Sequence, residues 1–191
     1  MLLVVAPLWA SAQLFPQLGA QRAGISALTF LKIDVSPRSA GMASASICTS
    51  GDAYSTFTNP ATLAEVESFS IAGANTFWVA GINHAYLTST LPTKAGNFGL
   101  SLSGLSSGAM EVRTVFQPDG TGEFFYATYW TAGLTYARQL TDRFSYGITG
   151  KYVREQLADF SANTAVFDLG FLYKTDFKDL RFAVVVQSFG L

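Results

Sequence analysis

The sequence predicts an all-β fold, an antiparallel transmembrane β-barrel preceded by a small N-terminal segment. Three observations carry this expectation. From Ala127 onward, apolar and polar side chains alternate with a period of two over stretches as long as a bilayer crossing. Charged residues make up only 13% of the chain and hydrophobic ones 49%, whereas ordinary soluble domains carry roughly 25% charged residues. No run of about 18 apolar residues is present to make a membrane helix. Apolar surface without such a helix is hidden either in a large soluble core or against lipid, and the low charge favours lipid.

The clearest arm is Phe144 to Glu155. Phe144, Tyr146, Ile148, Gly150 and Tyr152 fall on one face. Ser145, Gly147, Thr149, Lys151 and Glu155 fall on the other, with Val153 the one apolar residue among them. The next arm sets Ala165, Phe167, Leu169, Phe171 and Tyr173 against Thr164, Asp168, Gly170 and Lys174. The last sets Leu180, Phe182, Val184 and Val186 against Arg181 and Gln187, and the arm before these sets Trp130, Ala132, Leu134 and Tyr136 against Thr131, Gly133 and Thr135. A barrel strand crosses a bilayer in about 9–11 residues, longer than the 5–6 typical of soluble strands.

Upstream, Gly96 to Ser106 is a clean strand, Phe69 to Trp78 places Phe69, Ile71 and Phe77 on one face, and Ile82 to Leu91 is blurred. The connections LPTKAG, LTDR and TDFKD are short, while Glu111 to Ala127 is a long connection holding the turn cluster Pro118-Asp119-Gly120-Thr121-Gly122. Short periplasmic turns and longer outer loops are the barrel pattern. Phe124, Phe125, Tyr126, Tyr129, Trp130 and Trp78 would form an outer aromatic girdle, and Phe144 and Tyr146 an inner one; the other reading of these rings is a soluble aromatic core. Seven strands result. A closed bacterial barrel takes an even number of at least eight, so further C-terminal strands are expected.

At the N-terminus, Leu2 to Leu8 is apolar and Ala10-Ser11-Ala12 has the form of a signal-peptidase site, cleavage leaving Gln13 first. The basic n-region is missing, which points to a mis-called start or a fragment; the other reading is a short buried strand. The expected divisions are a signal peptide over 1–12, an N-terminal segment over 13–67, and barrel strands over 68–191. Within the N-terminal segment, Ile25 to Ile33 reads as a short strand and Arg38 to Ser50 is small and nearly uncharged. Asp52 to Phe57 reads as a helical turn, Asn59-Pro60-Ala61 as a forced turn, and Thr62 to Val66 as another helical turn.

Few residues invite chemistry. His84 is the sole histidine; no nucleophile elbow accompanies it, which favours a polar lumen position over catalysis. One His, one Cys and scattered carboxylates show no metal-ligand spacing, and neither enzyme activity nor a cofactor is expected. Cys48 alone makes no internal disulfide. A net charge of −1 with no basic stripe argues against nucleic acid. Lys151, Glu155, Asp168 and Arg181 alternate onto the polar, lumen-facing side, where they would line a path, bind a plug or pair across strands. Arg38 and Asp52 are placed either to pair or to stay solvated.

The pieces Phe30-Leu31-Lys32-Ile33, Pro37-Arg38-Ser39-Ala40-Gly41-Met42, Asp52-Ala53 and Asn59-Pro60-Ala61-Thr62-Leu63, in that order, resemble the start of the PorV/PorQ family, outer-membrane barrels of the Bacteroidetes and their relatives. Leu134 to Arg138, Asp142 to Gly147, Lys151 to Leu157 and Leu180 to Gly190 are similar to its strands, so the resemblance runs from about Gly24 to the end. Ala43-Ser44 stands where the family pattern has Gly-Gly, Thr62 stands in place of the Gly after Asn-Pro-Ala, and Gly51 in place of an Asp. The resemblance implies a FadL-like barrel of fourteen strands, half of it present here, with the N-terminal segment lodged inside as a plug. Arg38, Gly41, Met42, Asp52, Asn59, Pro60 and Ala61 would be its structural motif. It also implies a place in the outer membrane, in contact with lipid, and a part in type IX secretion through cargo C-terminal domains or secretion-system subunits. The alternatives are a FadL-like transporter of small hydrophobic molecules and a soluble periplasmic β-protein.

Overall fold

The computed structural model describes residues 28–49, 51–158 and 160–190. The signal-peptide reading, the start of the N-terminal segment and Ile25 to Ala27 lie outside these residues. Seven strands follow one another in a single antiparallel sheet, each paired with its sequence neighbours: β1 (Ser70–Phe77), β2 (Asn83–Thr93), β3 (Gly96–Glu111), β4 (Phe124–Thr141), β5 (Phe144–Leu157), β6 (Phe160–Lys174) and β7 (Arg181–Gly190). β1 and β7 do not pair with each other, so the sheet is open and these two are its edges. No helix among the described residues is long and apolar enough to cross a membrane, which says nothing of a β-barrel.

The two faces are inverted relative to a soluble protein. The buried face carries Thr88, Thr90, Asn97, Ser101, Thr131, Thr135, Ser145, Thr149, Lys151 and Asp168. The opposite face exposes Leu87, Leu100, Leu102, Trp130, Leu134, Ile148, Phe167, Leu169, Phe171, Val184 and Val186. Strand alternation read from the sequence fixes this division, because a one-residue slip would swap every side chain. The polar face is covered by residues 28–66, whose last turn lies across β3, β4, β5 and β6. Two small apolar clusters sit between the layers. Phe30 meets Leu105, Val153 and Val166 toward one end, and Leu63 and Val66 meet Ala137 toward the other. Val153, the apolar exception on the polar face of β5, is thereby explained: it is the wall's contact with Phe30.

Several boundaries differ from the sequence reading. β3 runs on to Glu111 and β4 starts at Phe124, so the long connection shrinks to 112–123. A bulge between Ser106 and Ala109 re-registers the pair, and the Ser107 hydroxyl accepts the Ala127 N–H at 3.0 Å. The ladder thus continues past the apolar stretch, with Ser, Gly and Glu supplying no hydrophobic signal. The short strand expected over Ile25–Ile33 is, in its described part, a 3-10 turn over Thr29–Lys32. It lies over the face of the sheet and not along an edge, and a single side chain, Phe30, buries against the Tyr129 ring at 5.2 Å. Tyr129 and Phe125 accordingly leave the expected outer girdle. They alternate onto the covered face, while Phe124, Tyr126 and Trp130 face outward.

Candidate functional site

The densest set of specific contacts is the seam between the N-terminal segment and the polar face of the sheet. The segment holds its shape through local signals. Ser36 caps the helix α1 (Pro37–Gly41) by accepting the Ser39 N–H, and Pro37 occupies its first position. α1 ends in a Schellman motif: the Ser44 N–H bonds Ser39 O at 2.9 Å and the Ala43 N–H bonds Ala40 O at 3.1 Å. That motif needs a left-handed residue after the cap, and Ala43 takes it at φ 52, followed by Ser44 at φ 65.

A second short helix, α2 (Ser55–Thr58), ends at Asn59, which is extended because Pro60 follows. The Asn59 carboxamide oxygen accepts the Ala61 N–H at 2.9 Å and caps the 3-10 turn Pro60–Glu65. Its amide group donates to Ile47 O at 2.8 Å and so ties two parts of the segment together. Asn59, Ala61, Leu63 and Thr62 are fully buried.

This turn lies on a notch in the wall. Gly147 of β5 and Gly170 of β6 are directly paired. A Cβ on Gly147 would come within 2.3 Å of the Pro60 carbonyl carbon, and one on Gly170 within 2.1 Å of Asn59 Oδ1. Only glycine leaves room for this approach. Around the notch the contacts are polar. Asn97 of β3 donates to Leu63 O at 2.8 Å and Val66 O at 2.7 Å. The Thr56 hydroxyl lies 2.8 Å from both the Tyr86 and the Thr88 hydroxyls of β2. Gln187 of β7 donates to Phe57 O at 2.9 Å.

Charges complete the seam. Lys151 of β5 forms an ion pair with Asp168 of β6, both buried, and its ammonium lies 5.9 Å from the centre of the Phe57 ring. The other Asp168 oxygen accepts the Ser188 N–H at 2.7 Å, at the place where the β6–β7 register shifts. The carboxylate therefore satisfies a backbone donor that the irregular ladder leaves over. Glu155 accepts the Leu28 N–H at 3.2 Å. Glu65 of the segment pairs with Lys174 and, at 3.1 Å, with Arg181.

The chain matches, over residues 17–169, the family model described as type IX secretion system protein PorV. The chain belongs to the PorV family. The match takes in the whole described N-terminal segment and runs well into β6. Comparison with the curated proteins and with the solved structures gives no match.

Of the residues singled out from sequence, this PorV chain brings Asn59, Pro60 and Ala61 into the seam, together with Lys151, Glu155, Asp168 and Arg181. Arg38, Gly41, Met42 and Asp52 lie apart from it. Arg38 and Asp52 approach to 3.9 Å with both side chains solvated; Gly41 is exposed, with open space where a Cβ would go, and Met42 is half-buried. Sequence reasoning missed Gly147 and Gly170 as seam residues, and Asn97, Glu65 and Gln187 as well. A glycine in the middle of a long strand was the available signal for the first two. His84 is buried on the same face of β2. No group of three or more His, Cys, Asp or Glu is placed to hold a metal ion among the described residues.

Proposed function

We propose that this PorV chain forms part of an outer-membrane β-barrel whose N-terminal segment is a fixed plug. In this reading it serves type IX secretion by holding protein partners at its outer loops, not by conducting substrate through its interior. The single observation that carries the reading is the seating of Asn59-Pro60 on the Gly147–Gly170 notch. A gate must leave its seat in every cycle. Leaving here would strip Asn97 of two hydrogen bonds and open the face that buries the Lys151–Asp168 pair, a strongly unfavourable step in a site built from buried polar groups.

The membrane assignment rests on the outward face. Arg138 and Arg154 bound a stretch of apolar side chains on β4 and β5, with Tyr146 opposite Arg138. From Tyr146 to Arg154 the strand covers about 27 Å, or roughly 20 Å of depth at barrel tilt, near the ~25 Å apolar band of outer-membrane barrels. In hydrocarbon the unpaired edges β1 and β7 require partner strands. With the turns at 94–95, 142–143 and 175–180 toward the periplasm, the 112–123 loop faces outward, and its tip residues Val115 and Phe116 are more than nine-tenths exposed. This loop is where a cargo C-terminal domain or another secretion subunit would dock. Transport of a small hydrophobic molecule would need room between plug and wall; over β2 to β5 the cavity measures about 20 Å3, the size of a water molecule and not of an acyl chain, and the larger clefts, about 750 and 360 Å3, lie where the plug meets the edge strands β1 and β7.

A disulfide lock tests the proposal. The Thr56 and Thr88 hydroxyls are 2.8 Å apart, so a Thr56→Cys, Thr88→Cys pair in a Cys48→Ser background would fasten plug to wall. Secretion at the unlocked level after oxidation is expected, together with co-purification of cargo domains or secretion subunits from native membranes. Secretion that stops on oxidation and returns with reductant would overturn the fixed-plug reading. Bound fatty acid without a protein partner would favour the transporter.

A further inference from the structure

Over the middle of the sheet, plug and wall enclose a small cavity of about 20 Å3 whose two sides differ in chemistry. Phe30 and Phe57 close it from the plug. His84 of β2, Ser103 of β3, and Thr131 of β4 with Lys151 of β5 close it from the wall. His84 is 2% exposed and Thr131 6%. Neither ring nitrogen of His84 has a hydrogen-bond partner in the protein, and neither does the Thr131 hydroxyl. Buried polar groups are nearly always satisfied, and a neutral imidazole brings one donor and one acceptor to be met.

We propose that this cavity is a built binding site for one water molecule, held between the His84 ring and the Thr131 hydroxyl. A water needs about 10–15 Å3 and two to four polar partners; the cavity supplies both. One water can meet the Thr131 hydroxyl and one His84 nitrogen, donating to that nitrogen or accepting from it according to which nitrogen carries the proton. An ion fits less well, since the Lys151 charge is already matched by Asp168 and the plug side offers aromatic rings. His84 and Thr131 belong to strands that are not neighbours, with β3 between them. The water therefore ties β2 to β4 across the intervening strand, independently of the backbone ladder.

The test is a crystal structure of the full protein at a resolution that shows ordered water, with a parallel bromide soak. A solvent peak within hydrogen-bond distance of a His84 nitrogen and Thr131 Oγ1, without anomalous signal, is expected. An unfilled cavity, a bromide peak, or a His84 ring bonded directly to protein would overturn the site. Thermal unfolding of His84→Phe, Thr131→Val and the double variant gives an independent reading. The double variant should lose less than the sum of the single losses in Tm, because the two side chains share one bridge; strictly additive losses would count against it.

Discussion

Gly147 and Gly170 face each other across the β5–β6 ladder, and Asn59-Pro60 fills the space that side chains on both would need. The wall is thinned at one spot to admit backbone. Inward glycines share the close approach, a Cβ on Gly99 of β3 meeting Thr56 Cγ2 at 2.5 Å, whereas Gly150, three residues from Gly147 and on the outward face, would give a methyl group only ordinary contacts, the nearest at 3.7 Å.

Adding a methyl group at the notch should therefore separate the layers. Gly147→Ala and Gly170→Ala are expected to cost about 1–3 kcal/mol each, the range for overpacking, with Gly150→Ala close to neutral. Thermal unfolding in detergent, with protease sensitivity of residues 28–66 as a local probe, measures both. Equal effects at all three glycines would contradict the notch.

Ala43 bears a conformational cost that glycine would not. At φ 52 it holds the left-handed position of the α1 Schellman motif, a conformation costing an L-residue roughly 1–2 kcal/mol. Part of that is offset by the larger unfolded-state entropy of glycine, so Ala43→Gly should stabilise by about 0.5 kcal/mol. Ser44→Gly should gain less, because the Ser44 hydroxyl donates to Asp34 at 3.0 Å. Unfolding midpoints rank the two.

The Lys151–Asp168 pair predicts an asymmetry. Asp168→Ala leaves a buried ammonium group and an unpaired Ser188 N–H, with an expected loss of about 3–5 kcal/mol. The double variant Lys151→Met, Asp168→Asn removes both charges and keeps an acceptor for Ser188. It should recover most of that loss in the same unfolding measurement.

Two other ion pairs should behave differently from each other. Glu65→Gln removes the charge facing both Lys174 and Arg181, where Glu65 is 10% exposed, and should cost about 1 kcal/mol. Arg38→Ala breaks a contact of 3.9 Å between solvated groups and should stay within about 0.5 kcal/mol of the parent. Unfolding midpoints of the two variants in the same detergent would show the difference.

Leu134 faces outward opposite Gly150, midway between Tyr146 and Arg154 on the neighbouring strand. Leu134→Arg should cost about 2–4 kcal/mol for insertion into lipid vesicles. On a soluble surface the same change would fall within roughly 0.5 kcal/mol, so folding yield in vesicles distinguishes the two settings.

The strands are legible in the sequence because outward positions and positions facing the N-terminal segment alternate strictly through Phe144–Tyr152 and Ala165–Tyr173. β2 is blurred for a physical reason: its inward residues His84, Tyr86, Thr88 and Thr90 are polar or ambivalent, and its outward row includes Asn83 and Ser89. Periodicity underestimates strand ends where the ladder outruns the apolar stretch, as at Ser107–Glu111. The Asn59-Pro60-Ala61 turn is readable, since proline and an Asx cap act locally. Its landing place is not, because a glycine in a strand announces a close approach without naming what approaches. Ion pairing is half legible: Lys151 and Asp168 sit on adjacent strands of one face, whereas Glu65 meets Lys174 and Arg181 only through the tertiary fold.

The Glu65–Arg181 contact spans 116 residues of chain. Translation delivers the N-terminal residues first, yet the sheet surfaces they finally touch are contributed by strands made afterward. Contacts so distant in sequence form slowly. The leading stretch must therefore stay unmoored at first and fall into place as a late assembly event, after β3 to β6 have zipped together.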